Sequence, residues 1–99
     1  MNRADVIAKL RAVEPALRAH GVGALYLFGS YARDEARPDS DIDVFVEPAN
    51  DEFYTLDNYV GTYERLQAVF PGAEVGYSTR KGLSKHVRPS VESHAVRIF

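Results

Sequence analysis

Phe28-Gly29-Ser30-Tyr31-Ala32-Arg33 and Ser40-Asp41-Ile42-Asp43-Val44-Phe45-Val46 stand close together in this chain. They combine two features that phosphate chemistry requires. The first is a glycine-serine turn leaving a strand. The second is a pair of carboxylates two residues apart on another strand. Ala24 to Phe28 is a short apolar run bounded by Gly23 and Gly29, which reads as a buried strand. Gly29 ends it with a residue that can take backbone angles closed to others. Ser30 then stands where a helix begins, as a favoured N-cap. Tyr31-Ala32-Arg33 supplies the first helical turn, whose free amides and dipole favour an anion. Arg33 lies one turn along and can add charge or brace the loop.

Arg37-Pro38-Asp39-Ser40 is turn chemistry, and an alternating strand follows from Asp41 to Val46. Ile42, Val44 and Val46 share one face; Asp41, Asp43 and Phe45 share the other. Residues two apart on a strand have Cα atoms about 6.6 Å apart. Their side chains can converge on metal ions roughly 3.5–4 Å apart. Without a cation, two carboxylates about 5 Å apart at an effective dielectric of ~20 repel by ~3 kcal/mol. Each motif alone has an ordinary structural reading, as a turn or a solvated strand start. Their joint presence in fitting local contexts selects a nucleotide-and-metal site.

These residues resemble the Gly-Ser-x-Ala-Arg and Ser-Asp-x-Asp-x-x-Val signature of the minimal nucleotidyltransferases, in the DNA polymerase beta nucleotidyltransferase superfamily. The resemblance spans nearly the whole chain. It implies an α+β fold, a small mixed β-sheet packed by helices, in one domain over residues 1–99. It also implies that Gly29, Ser30 and Arg33 contact a triphosphate and that Asp41 and Asp43 are catalytic ligands of Mg²⁺. The family reaction transfers a nucleoside monophosphate and releases pyrophosphate. Many members are antitoxins encoded beside a HEPN-type toxin, and some attach AMP from ATP to it. Two functions follow as expectations. One is an Mg²⁺-dependent transferase acting on a partner protein. The other is an antitoxin of the same fold that neutralises its toxin by binding.

The sequence departs from that family at the third carboxylate. The corresponding strand is Ala73-Glu74-Val75-Gly76-Tyr77, and its spacing to Leu83 puts Gly76 where an Asp is expected. Glu74 shares the face of Gly76 but lies about 6.6 Å away along the strand. Either Glu74 serves as third carboxylate through a shifted register, or that group is missing. Asp34 stands where the family commonly has Gly after the Arg.

The rest of the 99-residue chain is ordinary for a globular protein: 45% hydrophobic, 26% charged and net charge −2. That balance exerts no general pull on nucleic acid or anionic membrane. There is no cysteine, no signal peptide and no apolar run of membrane-spanning length, so a reducing, cytoplasmic setting is expected. Val6, Leu10, Val13 and Leu17 have helical spacing, with Asp5 as cap, Gly21 as stop and a restart at Pro15. Pro48 to Thr55 reads as a polar loop. Leu56 to Phe70 reads as a helix whose Tyr59, Tyr63, Leu66 and Phe70 form a core stripe. Pro89 to Phe99 reads as a short helix running into an edge strand. Arg80, Lys81, Lys85, His86 and Arg88 read as a solvated basic surface. His20, His86 and His94 lack zinc-site spacing. No length remains for a domain that grips the acceptor, so a protein partner or a second copy in a homo-oligomer is expected to supply that surface.

Overall fold

Asn2 starts the first helix by accepting the Asp5 amide at 2.9 Å, while Asp5 accepts the Asn2 amide in return. The cap is therefore Asn2, and Asp5 is the reciprocal member of a capping box. In this computed structural model, which describes residues 1–99, α1 runs Arg3–Ala12 and α2 runs Glu14–Ala19. The break falls at Val13 because Pro15 has no amide to continue the first helix but suits the first turn of a second. Gly21, at φ +90°, turns the chain into β1, Val22–Phe28.

A four-residue helix, α3 (Gly29–Ala32), follows directly, and β2 (Ile42–Pro48) returns antiparallel beside β1. A 3-10 turn at Asp51–Tyr54 buries Phe53 completely, where composition alone suggested a polar loop. The longest helix, α4, is Leu56–Val69, capped by the Thr55 hydroxyl. β3 (Val75–Thr79) lies parallel to β2; α5 (Arg88–His94) and β4 (Val96–Arg97) close the chain. The sheet order is β3-β2-β1-β4, with β4 antiparallel to β1.

Strand alternation gives the sheet two unlike faces. Leu25, Leu27, Ile42, Val44 and Val46 point to the side where Val6, Leu10, Leu17, Phe53, Leu66 and Phe70 complete the main core. Of the α4 stripe, Leu66 and Phe70 reach that core, whereas Tyr59 and Tyr63 pack more openly against Tyr77. The opposite face carries Tyr26, Phe28, Asp43 and Phe45, since Tyr26 pairs with Phe45 and Phe28 with Asp43. Phe45 is buried there beneath Tyr26, whose ring stacks at 4.7 Å, and beneath the Arg80 guanidinium at 5.0 Å.

Arg80 is thus a structural residue rather than part of a solvated basic surface. It bridges Glu47 at 2.5 Å and Glu92 of α5 at 3.2 Å, pinning α5 toward the sheet. Arg88 likewise braces the preceding loop, donating to the carbonyls of Lys81 at 3.1 Å and Leu83 at 3.0 Å. Gln67 fixes the turn from α4 into β3. Its Nε2 donates to the carbonyls of Phe70 and Ala73 at 3.1 and 2.7 Å, and its Oε1 accepts the Val75 amide at 3.2 Å. These three bonds anchor the start of β3, and so the register that sets Gly76 against Asp43. Gln67→Ala leaves partly buried backbone groups unpaired and is expected to cost about 2–3 kcal/mol, read as a lower denaturation midpoint in urea.

Candidate active site

The antiparallel register of β1 and β2 sets Phe28 opposite Asp43, so the chain leaves β1 at Gly29 directly beside the Asp43 carboxylate. Gly29 has φ +73°, and a β-carbon there would collide with Asp43 Oδ2. Both facts require glycine: the backbone angle is strained for any side chain, and the space belongs to the carboxylate. On the other flank, the parallel register pairs Asp43 with Gly76. A β-carbon at Gly76 would lie 2.6 Å from Asp43 Oδ1. The Asp43 carboxylate therefore sits between two glycines, Gly29 just past the end of β1 and Gly76 on β3.

Ser30 lies within the first turn of α3, not at its N-cap; Phe28 holds that position and makes no side-chain cap. The Ser30 carbonyl accepts the Glu35 amide at 2.9 Å. That bond ends α3 in a left-handed turn at Asp34, φ +58°. This angle supplies a physical reason for a glycine at the equivalent place, and Asp is among the few side chains that tolerate it. Arg33, the C-cap of α3, pairs on the surface with Glu35 at 3.3 Å. Its charge also acts on Asp43 in the direction that favours ionisation.

Ser40 closes the turn that delivers the first carboxylate. Its hydroxyl accepts the Arg37 amide at 2.8 Å, and its own amide donates to the Arg37 carbonyl at 3.0 Å. Asp41 follows, exposed, just before β2 begins, and Asp43 is half-buried two residues on. Burial chiefly, and the neighbouring Asp41 charge next, push the Asp43 carboxyl above its usual value of 3.8, while Arg33 opposes them. Glu74 is exposed and lies one residue before β3. Its carbonyl accepts the Ile42 amide at 2.9 Å. Continuing the register places Glu74 level with Asp41, and Gly76 level with Asp43. No three His, Cys, Asp or Glu side chains converge into one metal-binding group. The structure thus brings Gly29, Ser30, Arg33, Asp41 and Asp43 to one end of the sheet and leaves Glu74 outside a three-carboxylate cluster.

A strand-turn element beside two hard oxygen donors is an arrangement suited to a polyphosphate with a divalent cation. It defines a phosphoryl- or nucleotidyl-transfer class of protein. The chain belongs to the nucleotidyltransferase domain family, whose sequence model matches residues 10–98. A relative in Methanocaldococcus jannaschii, "Putative protein adenylyltransferase MJ0435", is 51% identical over 89 residues, covering 90% of this chain and 92% of the relative. The solved structure of a "putative minimal nucleotidyltransferase" superposes with a TM-score of 0.78 at 31% identity, covering 97% of this chain and 95% of that one. A crystal structure described as "the toxin-antitoxin with AMP-PNP" gives a TM-score of 0.63 at 25% identity, covering 100% of this chain and 73% of that one. The mixed-sheet α+β architecture is that of the minimal nucleotidyltransferases. No helix is long and apolar enough to cross a membrane.

Because its pKa is raised in the fold, ionised Asp43 opposes folding, and stability falls as pH rises from 3.8 through the raised folded value. Asp43→Asn should therefore raise the Tm of the ligand-free protein at pH 7 and flatten that fall; calorimetry across pH checks both.

Proposed function

We propose that this protein is an Mg²⁺-dependent nucleotidyltransferase that transfers AMP from ATP to a partner protein, as the antitoxin of a HEPN-type toxin-antitoxin pair. The observation that carries this reading is the register that sets Gly29 beside Asp43. It brings the two halves of the sequence signature to one place. The name of the Methanocaldococcus relative supports a protein acceptor. The toxin-antitoxin structure that holds AMP-PNP supports both an adenine nucleotide and a protein partner. Residues 1–99 act as one nucleotidyltransferase domain.

In this reading Gly29 and Ser30 face the triphosphate, with the Ser30 hydroxyl and nearby amides as donors and Arg33 as a positive neighbour. Asp41 and Asp43 hold Mg²⁺; their all-oxygen donor set suits it, and their mutual repulsion is what a divalent cation relieves. Bound Mg²⁺ supplies charge neutralisation at the phosphates. An acceptor hydroxyl oxygen forms a bond to the α-phosphorus, the bond to the pyrophosphate oxygen breaks, and pyrophosphate leaves. The hydroxyl proton passes to Glu74 or to solvent, since position 76 carries no side chain.

That last point favours a second reading. With Gly76 in place of a carboxylate and no three-acid cluster, the protein binds MgATP but neutralises its partner by contact.

Two measurements separate these outcomes. MgATP at a hundred times its Kd should stabilise the protein by about 2.7 kcal/mol, and Asp43→Asn should abolish that gain; an equal gain in both proteins overturns the site. Intact-mass analysis of the co-purified, initially unmodified partner should show one added AMP after incubation with MgATP, absent with Asp41→Asn. A stable complex with no added mass, at full MgATP binding, establishes the second reading instead.

A further inference from the structure

A cavity of about 450 Å³ opens beside the phosphate turn, with Gly29 and Arg33 on its rim. Its apolar walls are Phe28 from β1, Leu83 from the preceding loop, and Val87 and Val91 from the start and middle of α5. Phe28 faces the same side of the sheet as Asp43, its paired residue. The cavity and the two carboxylates therefore share a face. The Arg80 contacts to Glu47 and Glu92 hold α5 over that face and give the slot its outer wall.

One wall carries a polar group with a defined role. His94 Nδ1 lies 2.9 Å from the Ser90 carbonyl and 3.0 Å from Ser93 Oγ, and Ser93 itself donates to that carbonyl at 2.8 Å. The Ser90 carbonyl only accepts, so this contact is a hydrogen bond in the tautomer that carries its proton on Nδ1. In the neutral ring of that tautomer Nε2 is an acceptor facing no partner within the protein.

We propose that this slot binds the nucleobase of the triphosphate. The inference rests on the reading of Gly29, Ser30 and the two aspartates as the triphosphate site. A nucleotide held there by its phosphates carries its sugar and base to the neighbouring walls, and this cavity adjoins Gly29. The walls offer an aromatic ring and three aliphatic side chains against a flat, apolar base, and His94 Nε2 meets a base-edge N–H. Two segments distant in sequence, 28–33 and 83–94, build the slot, so the base bridges β1 to α5.

The test compares Mg·ATP with Mg·tripolyphosphate by calorimetry, because the second ligand has the phosphates without the base. Wild type should bind ATP on the order of tenfold more tightly, the range of a stacked base. Val87 is 48% exposed, so Val87→Trp can fill the slot without disturbing the core. It should erase the ATP advantage and leave the tripolyphosphate Kd unchanged. His94→Ala should reduce the advantage severalfold. Equal affinity of wild type for both ligands overturns the slot and leaves the triphosphate site standing. So does an ATP advantage that survives both substitutions in proteins whose Tm shows them folded. If neither ligand binds wild type, the triphosphate reading itself fails and the slot falls with it.

Discussion

The carboxylate of Asp43 is the constraint around which this small fold is arranged. It sits on the central strand of three, with Gly29 and Gly76 on its two flanks leaving its carboxylate oxygens the space that a β-carbon would take. The β1–β2 register fixes the first approach and the β2–β3 register fixes the second. Shifting either by one residue would turn Asp43 toward the main core, where Val44 now lies fully buried. Apolar burial on the helical face thus specifies the register, and the register places the charge on the other face. The site is a consequence of core packing on the opposite side of the sheet.

This arrangement has an electrostatic cost that the rest of the molecule moderates only in part. Asp43 is half-buried next to a second carboxylate, and the opposing Arg33 shares its charge with Glu35 at the surface. Exposed pairs of that kind contribute little. A core of modest size, as in any domain of about a hundred residues, must therefore offset an unfavourable charge at one end of the sheet. Placing that cost where a cation and a polyphosphate would meet is how a fold stores binding preference in its ligand-free state.

Much of this was legible in the sequence, and the exceptions have definite causes. The strand before Gly29, the turn and the alternating strand after it could be read because each is local: periodicity, turn residues and the Asp-x-Asp spacing all act within a few positions. The restart at Pro15 and the edge strand at Val96–Arg97 were legible for the same reason. Ser30 stands two positions past the actual cap because the helix already begins at Gly29, with Phe28 as its N-cap; no side-chain cap marks that start in the sequence. Phe53 was hidden in a polar segment because one buried residue in a 3-10 turn leaves no periodic trace. Arg80 looked solvated because the Tyr26 and Phe45 rings and its two glutamate partners lie far from it in sequence. The same separation kept the cavity invisible: Phe28 and Val91 meet only in three dimensions.

Glycine at position 76 is more than an omitted carboxylate. Asp43 Oδ1 lies so near the place of a β-carbon at 76 that a side chain there would require the Asp43 carboxylate to turn away. That oxygen is the far end of a short side chain, and rotation about its bonds is the inexpensive adjustment. The glycine at 76 and the present orientation of Asp43 are therefore coupled. With Gly76, Asp43 leans into the β2–β3 gap and stands between two backbones. With a side chain at 76, the carboxylate would have to turn out of that gap. The residue at 76 thus decides which way the Asp43 carboxylate can point, although it lies on another strand and carries no side chain of its own.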